Sequence, residues 1–115
     1  MSRGFKREQR VNDVVQTALA AIIHKEAEDF GFGIITITSV QVSHDLSFAK
    51  IFVSVLEEEK ASTIIAALNN AAKSLRYSLA NAVKLRITPE LKFIYDDSIA
   101  RGSRISSLIN DALKK

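Results

Sequence analysis

Lys73, Arg76, Tyr77 and Lys84 recur at the spacing that gathers side chains on one face of a helix, about 100° per residue. Leu75, Leu79, Ala82 and Val83 fall on the other face. The surrounding run, AAKSLRYSLANAVKLRITPELK from Ala71 to Lys92, holds five basic residues (Lys73, Arg76, Lys84, Arg86, Lys92) and one acid, Glu90. Cations with an aromatic among them suit phosphates and exposed bases. An ordinary amphipathic helix with a solvated lysine face would show the same pattern.

The acids favour the first of these readings. Residues 20–59 contain seven acids (Glu26, Glu28, Asp29, Asp45, Glu57, Glu58, Glu59) and two bases, a net of −5. Residues 60–92 contain six bases and one acid, a net of +5. The first ten residues add Arg3, Lys6, Arg7 and Arg10 against Glu8. The formal charge of +3 thus conceals a segregated distribution, which points to a polyanionic partner on one face.

The residue types that carry catalysis are sparse. There is no cysteine, hence no disulfide and no zinc–thiolate site. His24 and Glu28 stand four apart and could ligate a metal, but that spacing far more often makes a surface pair. His44 falls in a polar loop, as a solvated turn residue. Asp96 and Asp97 are neighbours and do not converge as paired catalytic carboxylates do. No Gly-rich phosphate loop or nucleophile elbow is present. The sequence reads as a non-enzyme with no metal or cofactor.

Periodicity supplies the frame. Val11, Val14, Val15, Ala18, Leu19, Ile22 and Ile23 define a helix over about Val11 to Lys25, with a start as early as Lys6 and an end before Gly31 and Gly33. Ile34 to Val42 reads as a strand whose alternation slips, implying a bulge near Thr38-Ser39. Ser43 to Ser47 is a hairpin loop. In the second strand, Phe48 to Leu56, Ala49, Ile51, Val53 and Val55 oppose Phe48, Lys50 and Phe52. Those two phenylalanines are expected to pack under the first or last helix, base stacking being the rarer use. Glu57 to Lys60 connects to a helical pattern from Thr63 to Lys84, in which Asn69, Asn70 and Ser74 permit a break. Pro89 opens a third strand, Glu90 to Tyr95, with Leu91, Phe93 and Tyr95 on one face. Ile99 to Leu113 looks helical in its latter half, with Ser103 as N-cap. A hairpin followed by a helical crossover sets the third strand parallel to a hairpin strand. The class is α+β, helices layered on a small mixed sheet.

A chain of 115 residues with 47% hydrophobic content fits one domain with a single core. No apolar run approaches the roughly 20 residues of a membrane span. Val11 to Ile23 is interrupted by Asn12, Asp13, Gln16 and Thr17, so no signal peptide is expected. The expected setting is the cytoplasm.

Along nearly its whole length the chain resembles the bacterial ribosome-binding factor A family. The resemblance rests on Gln9-Arg10-Val11, then Thr36-x-Thr38-x-Val40-x-Val42-Ser43-x-Asp45-Leu46-x-x-Ala49-Lys50-x-x-Val53. It continues through Leu85-Arg86-Ile87-x-Pro89-Glu90-Leu91-x-Phe93 and Tyr95-Asp96-x-Ser98-x-x-x-Gly102-x-x-Ile105. Each piece is weak alone; in order and at these separations they are specific. The resemblance implies a single type II KH-like RNA-binding domain over residues 1–115, α-β-β-α-(kink)-α-β plus a C-terminal helix. It further implies a monomer that binds the immature small (30S) ribosomal subunit and its 16S rRNA. The family acts late in assembly, affects processing of the 5′ end of that rRNA, and supports growth at low temperature in some bacteria. Ribosomal proteins and assembly GTPases are further candidate partners. Some relatives carry a long charged C-terminal tail; this chain stops soon after its last helix, so tail-dependent functions are not expected. The candidate RNA-binding residues are Arg3, Lys6, Arg7, Arg10, Lys73, Arg76, Lys84, Arg86, Arg101 and Arg104. The alternative is a protein-interaction module whose acidic segments meet basic ribosomal proteins or another assembly factor.

One departure stands out. KH domains carry a Gly-x-x-Gly loop that brings backbone close to phosphate, and this family has an Ala-x-Gly kink instead. Here that kink falls on Ala71-Ala72-Lys73, with lysine in place of glycine and Ser74 available to cap the second helical half. The unbroken 3.6-residue period leaves one straight helix as the alternative.

Overall fold

The computed structural model describes residues 2–31 and 33–98. The chain opens with α1 (Ser2–Phe30), several residues longer at each end than its apolar stripe. Polar turns extend a helix without changing the buried face. That face is Val15, Leu19, Ile23 and Ala27, at the four-residue interval of an amphipathic helix. Gly31, at φ +69°, ends α1 in the left-handed conformation that glycine adopts without a Cβ penalty.

Strands β1 (Ile35–Val42) and β2 (Phe48–Val55) form an antiparallel hairpin. Its register slips between Ile37 and Ser39, so the expected bulge is present. Thr38, the unpaired residue, donates its hydroxyl to Asp96 Oδ2 at 2.6 Å and lies 3.3 Å from the Phe52 carbonyl oxygen. A short 3₁₀ turn (Glu58–Lys60) leads to α2 (Ala61–Asn70) and α3 (Ala72–Ala82), followed by β3 (Glu90–Tyr95). The sheet order is β1-β2-β3, with β3 parallel to β2. The expected C-terminal helix, Ile99 to Leu113, lies outside the described residues.

The core lies between one sheet face and the helices. Ala49, Ile51 and Val53 of β2 and Leu91 and Phe93 of β3 meet Val15, Leu19 and Ile23 of α1, Ile64 and Leu68 of α2, and Leu75 and Leu79 of α3. By strand alternation Phe48 and Phe52 point the other way; they are half-buried and outside this core. They therefore do not pack under α1; the last helix, the other partner the sequence allows, is outside the described residues.

Among the described residues no strand pairs with the outer edge of β1 or of β3, and amide side chains from the helices cover part of each. On β1, Asn12 Oδ1 accepts from the Val42 N–H at 3.0 Å, and Gln16 Nε2 reaches the Ile37 carbonyl at 3.4 Å. On β3, Asn69 accepts from the Phe93 N–H at 2.8 Å and donates to the Phe93 carbonyl at 3.0 Å. Covering an edge blocks strand addition by other chains.

The hairpin loop is organised by Asp45. Its Oδ1 accepts from Ser43 Oγ (2.7 Å), Ser47 Oγ (2.7 Å) and the Ser47 N–H (3.1 Å). These bonds, Ser43 first, lower the Asp45 pKa from 3.8 to about 2. Leu46 takes a positive φ of 64° and is buried, so the loop spends backbone comfort on apolar cover. His44 is exposed, yet its Nδ1 lies 2.7 Å from Glu8 Oε1, tying the loop to α1. A depressed carboxylate contributes stability that is complete above about pH 3.8 and lost as pH falls through about 2. Carboxyl NMR of the folded protein should give Asp45 a midpoint near 2. The stability difference between the parent and Asp45→Asn, from urea melts, should shrink between pH 5 and pH 2.

Candidate nucleic-acid interface

The break between α2 and α3 is one residue wide. Ala71 sits at φ −90°, ψ 3°, the sparsely allowed bridge region. Its N–H still reaches the Ala67 carbonyl at 3.0 Å, and the ladder resumes when the Leu75 N–H meets the Ala71 carbonyl at 2.9 Å. The first N–H groups of α3 are thereby left without intrahelical acceptors, and no side chain caps them. The straight-helix alternative is excluded. Ser74, expected as the cap, is instead the third residue of α3 and makes no cap bond. A cap hydroxyl must come from the residue before the helix, and that residue is Ala71.

Asn69 fixes where the break falls. Its amide is held on the β3 backbone at Phe93, so the end of α2 is pinned to the sheet edge. Leu68 and Leu75 both remain buried across the break. The hydrophobic period survives, and for that reason it could not reveal the interruption.

Lys73 is the second residue of α3 and is exposed. Arg76, one turn on, donates from Nε and Nη2 to the Thr88 carbonyl at 3.0 and 2.8 Å. It clamps the α3–β3 connection to the helix. Lys84 is not on this helix face: α3 ends at Ala82, and Val83 is extended at φ −136°, ψ 145°. Lys84 and Arg86 are exposed in the 83–89 connection. None of these four cations forms an ion pair with a described residue.

The topology also places the acidic block at one end of the sheet and a mixed set of charges at the other. Glu90 N–H bonds the Ser47 carbonyl at 2.9 Å, which brings the Lys84–Arg86 connection to the hairpin-loop end. Glu8 brings the first turns of α1, with exposed Arg7 and Arg10, to the same end through His44. Arg3 and Lys6 belong to α1 as well. Glu8, Asp13, Asp45 and Glu90 share this end, so it is mixed. At the far end, the Leu56 N–H bonds the Ile34 carbonyl at 3.3 Å. Glu57, Glu58 and Glu59 come directly after Leu56, and Glu26, Glu28 and Asp29 close α1 just before β1. Arg101 and Arg104 lie outside the described residues.

His24 and Glu28 form an exposed pair at 3.3 Å, the surface pair that their spacing favours. Among the described residues no three potential ligands gather, and no helix is long and apolar enough to cross a membrane. Asp96 is held by the Thr38 hydroxyl and accepts from the Ser98 N–H at 2.9 Å, a strand-ending role.

The sequence missed that Arg76 is a clamp. Reversing its charge should therefore affect folding, although the pattern alone makes it a free surface cation. Arg76→Ala is expected to cost about 1–2 kcal/mol in a denaturant melt, as loss of a charged donor does. Lys73→Ala should stay within about 0.5 kcal/mol.

Helices on one face of a mixed three-stranded sheet, in the order α-β-β-α-α-β with a helix–break–helix flanked by cations, define the type II KH-like class. Comparison with known proteins narrows the class. The family model described as ribosome-binding factor A matches residues 7–109. Ribosome-binding factor A of Pseudomonas fluorescens is 45% identical, over 98% of this chain and 87% of the relative. That of Coxiella burnetii is 46% identical, over 96% and 92%. The crystal structure of ribosome-binding factor A from Thermus thermophilus superposes with a TM-score of 0.66 at 28% identity, covering 76% of this chain and 94% of that one. Coordinates of the Thermus thermophilus factor fitted into a cryo-EM map of its 30S complex give 0.61 at 32% identity, covering 73% and 89%. The chain belongs to the ribosome-binding factor A family.

Proposed function

We propose that this protein binds the immature small ribosomal subunit through rRNA phosphates and assists its late maturation, including processing of the 5′ end of 16S rRNA. The observation that carries the reading is the α2–α3 break. It leaves the first turn of α3 without a side-chain cap beside exposed Lys73, and helix-start N–H groups are donors suited to phosphate. Arg86 and Lys84 continue the cationic surface, and Arg7 and Arg10 supply a second patch at the hairpin end. Support comes from the Thermus thermophilus relative, which is known as a 30S complex. Crosslinking this protein to small subunits and sequencing the attached RNA tests the proposal. Crosslinks should map to one rRNA neighbourhood and involve peptides spanning 71–88. Crosslinks confined to ribosomal proteins would overturn it.

A second reading, docking on a basic protein, is favoured by one observation. Ile34 and Leu56 are 64% and 73% exposed, adjacent, and set beside the acidic segments. Apolar contacts rimmed by complementary charge make protein interfaces. Both surfaces can operate on one particle, since they are made of different residues, although Ala71 at the break and Ile35 beside Ile34 line one cavity. Ile34→Ser with Leu56→Ser should then weaken binding to intact subunits while leaving binding to protein-free rRNA unchanged. Equal binding of the double variant to both would remove this reading.

A further inference from the structure

Tyr77 is 72% exposed, one turn from Lys73 on the same face of α3. A groove of about 380 Å³ runs beside it, lined by Lys73, Arg76, Tyr77, Ala80, Ile87 and Thr88. Ile87 is itself 42% exposed. A lone exposed apolar side chain needs no explanation. An aromatic and a branched aliphatic lining one groove, with a cation beside them that pairs with no described carboxylate, form a surface with a chemical preference. The volume lies within the roughly 300–1,000 Å³ of small-ligand sites. Arg76 holds the Ile87–Thr88 segment against α3 through the Thr88 carbonyl, so the groove is preformed.

We propose that this groove takes one unpaired nucleotide, its base stacked on Tyr77 against Ile87 and its phosphate on Lys73. Arg76 is a positioning residue for the groove wall. The inference rests on the RNA reading above and deepens it: the substrate is single-stranded RNA. A duplex keeps its bases inside the stack and offers this groove only phosphates, whereas a splayed base presents a face to an aromatic ring. The charge favours RNA over a protein occupant, because Lys73 has no carboxylate partner among the described residues.

The test uses the full chain with a single-stranded RNA oligonucleotide, an RNA hairpin and isolated small subunits. Tyr77→Ala should weaken single-strand binding about 5- to 150-fold, the range for losing one base–aromatic stack. The salt slope should stay the same, since no charge is removed. Tyr77→Phe should bind within about twofold of the parent, and hairpin binding should be indifferent to both variants. The chain has no tryptophan and two tyrosines, Tyr77 and Tyr95, so tyrosine emission reports stacking directly. Single-stranded RNA should quench the parent and leave Tyr77→Phe almost unquenched. Both variants should melt with the parent, as exposed substitutions do. Parent-like single-strand binding by Tyr77→Ala would overturn the stacking proposal and leave phosphate binding intact. Weaker subunit binding by that variant with unchanged RNA binding would overturn it too, in favour of a protein contact. Failure of the parent to bind any RNA would instead remove the reading on which it rests.

Discussion

Raising monovalent salt from 50 to 200 mM is expected to weaken binding to small subunits by roughly 60- to 250-fold. The expectation assumes about four neutralised phosphates and a log–log slope of roughly −3 to −4 on the duplex estimate. The residues that could supply them are Lys73, Lys84, Arg86, Arg7 and Arg10, all exposed. Arg76 is left out of the count because two of its N–H groups are committed to the Thr88 carbonyl. Lys73→Ala should reduce the slope by about one and weaken binding at every salt concentration. Lys73→Gly removes the same charge and restores the family's glycine. If charge is the contribution, the two variants should behave alike; if close backbone approach matters, the glycine variant should match or exceed the parent. Parent-like affinity and slope in both would make Lys73 a solvated helix residue. Titrating subunits with labelled protein at four salt concentrations decides among these outcomes. A flat salt dependence for the parent would sink the phosphate reading altogether.

The sheet was the most legible part of the sequence. Alternation of Ala49, Ile51 and Val53 against Lys50, and of Leu91 and Phe93 against Lys92, reports burial directly, because strand side chains have a period of two. Even the bulge was readable, since the phase changes between Ile37 and Val40. The ends of α1 were not, because polar turns carry no core signal. The break was legible only as a permission. Asn69 looked like a residue competing for its own helix backbone, while its actual partner is Phe93, 24 positions away. Local propensity cannot name a distant acceptor. The same limit applies to Arg76, whose place on α3 one turn from Lys73 was readable and whose bond to Thr88 no spacing rule could supply. The charge blocks were visible as runs; the gathering of the acids at one end required the hairpin and crossover to bring Ser47 to Glu90 and Ile34 to Leu56.

Asn69→Ala should lower stability by about 1–3 kcal/mol, because it strands the N–H and the carbonyl of Phe93 at once. For a domain of this size that corresponds to a fall of roughly 4 to 12 °C in melting temperature. The effect should reach the candidate site, since the same side chain pins α2 where the helix breaks. Amide exchange in the parent should be faster at 72–74 than across Leu75 to Ala82, because those first N–H groups lack intrahelical acceptors. In Asn69→Ala the fast region should spread into the end of α2 and into β3 at Phe93. Asn69→Asp makes a sharper test. One carboxylate oxygen can still accept from the Phe93 N–H, but the other now faces the Phe93 carbonyl where a donor stood. At neutral pH this variant should be at least as unstable as Asn69→Ala. The introduced carboxyl donates only when protonated, so its folded-state pKa is raised and part of the lost stability should return as pH falls below about 5. Asn69→Ala has no such group and should show no recovery over the same range. Melting both variants and the parent from pH 7 to pH 4 separates the outcomes. Parent-like melting of both at every pH would mean that water serves Phe93 equally well, and that the break is set by packing of Leu68 and Leu75 alone.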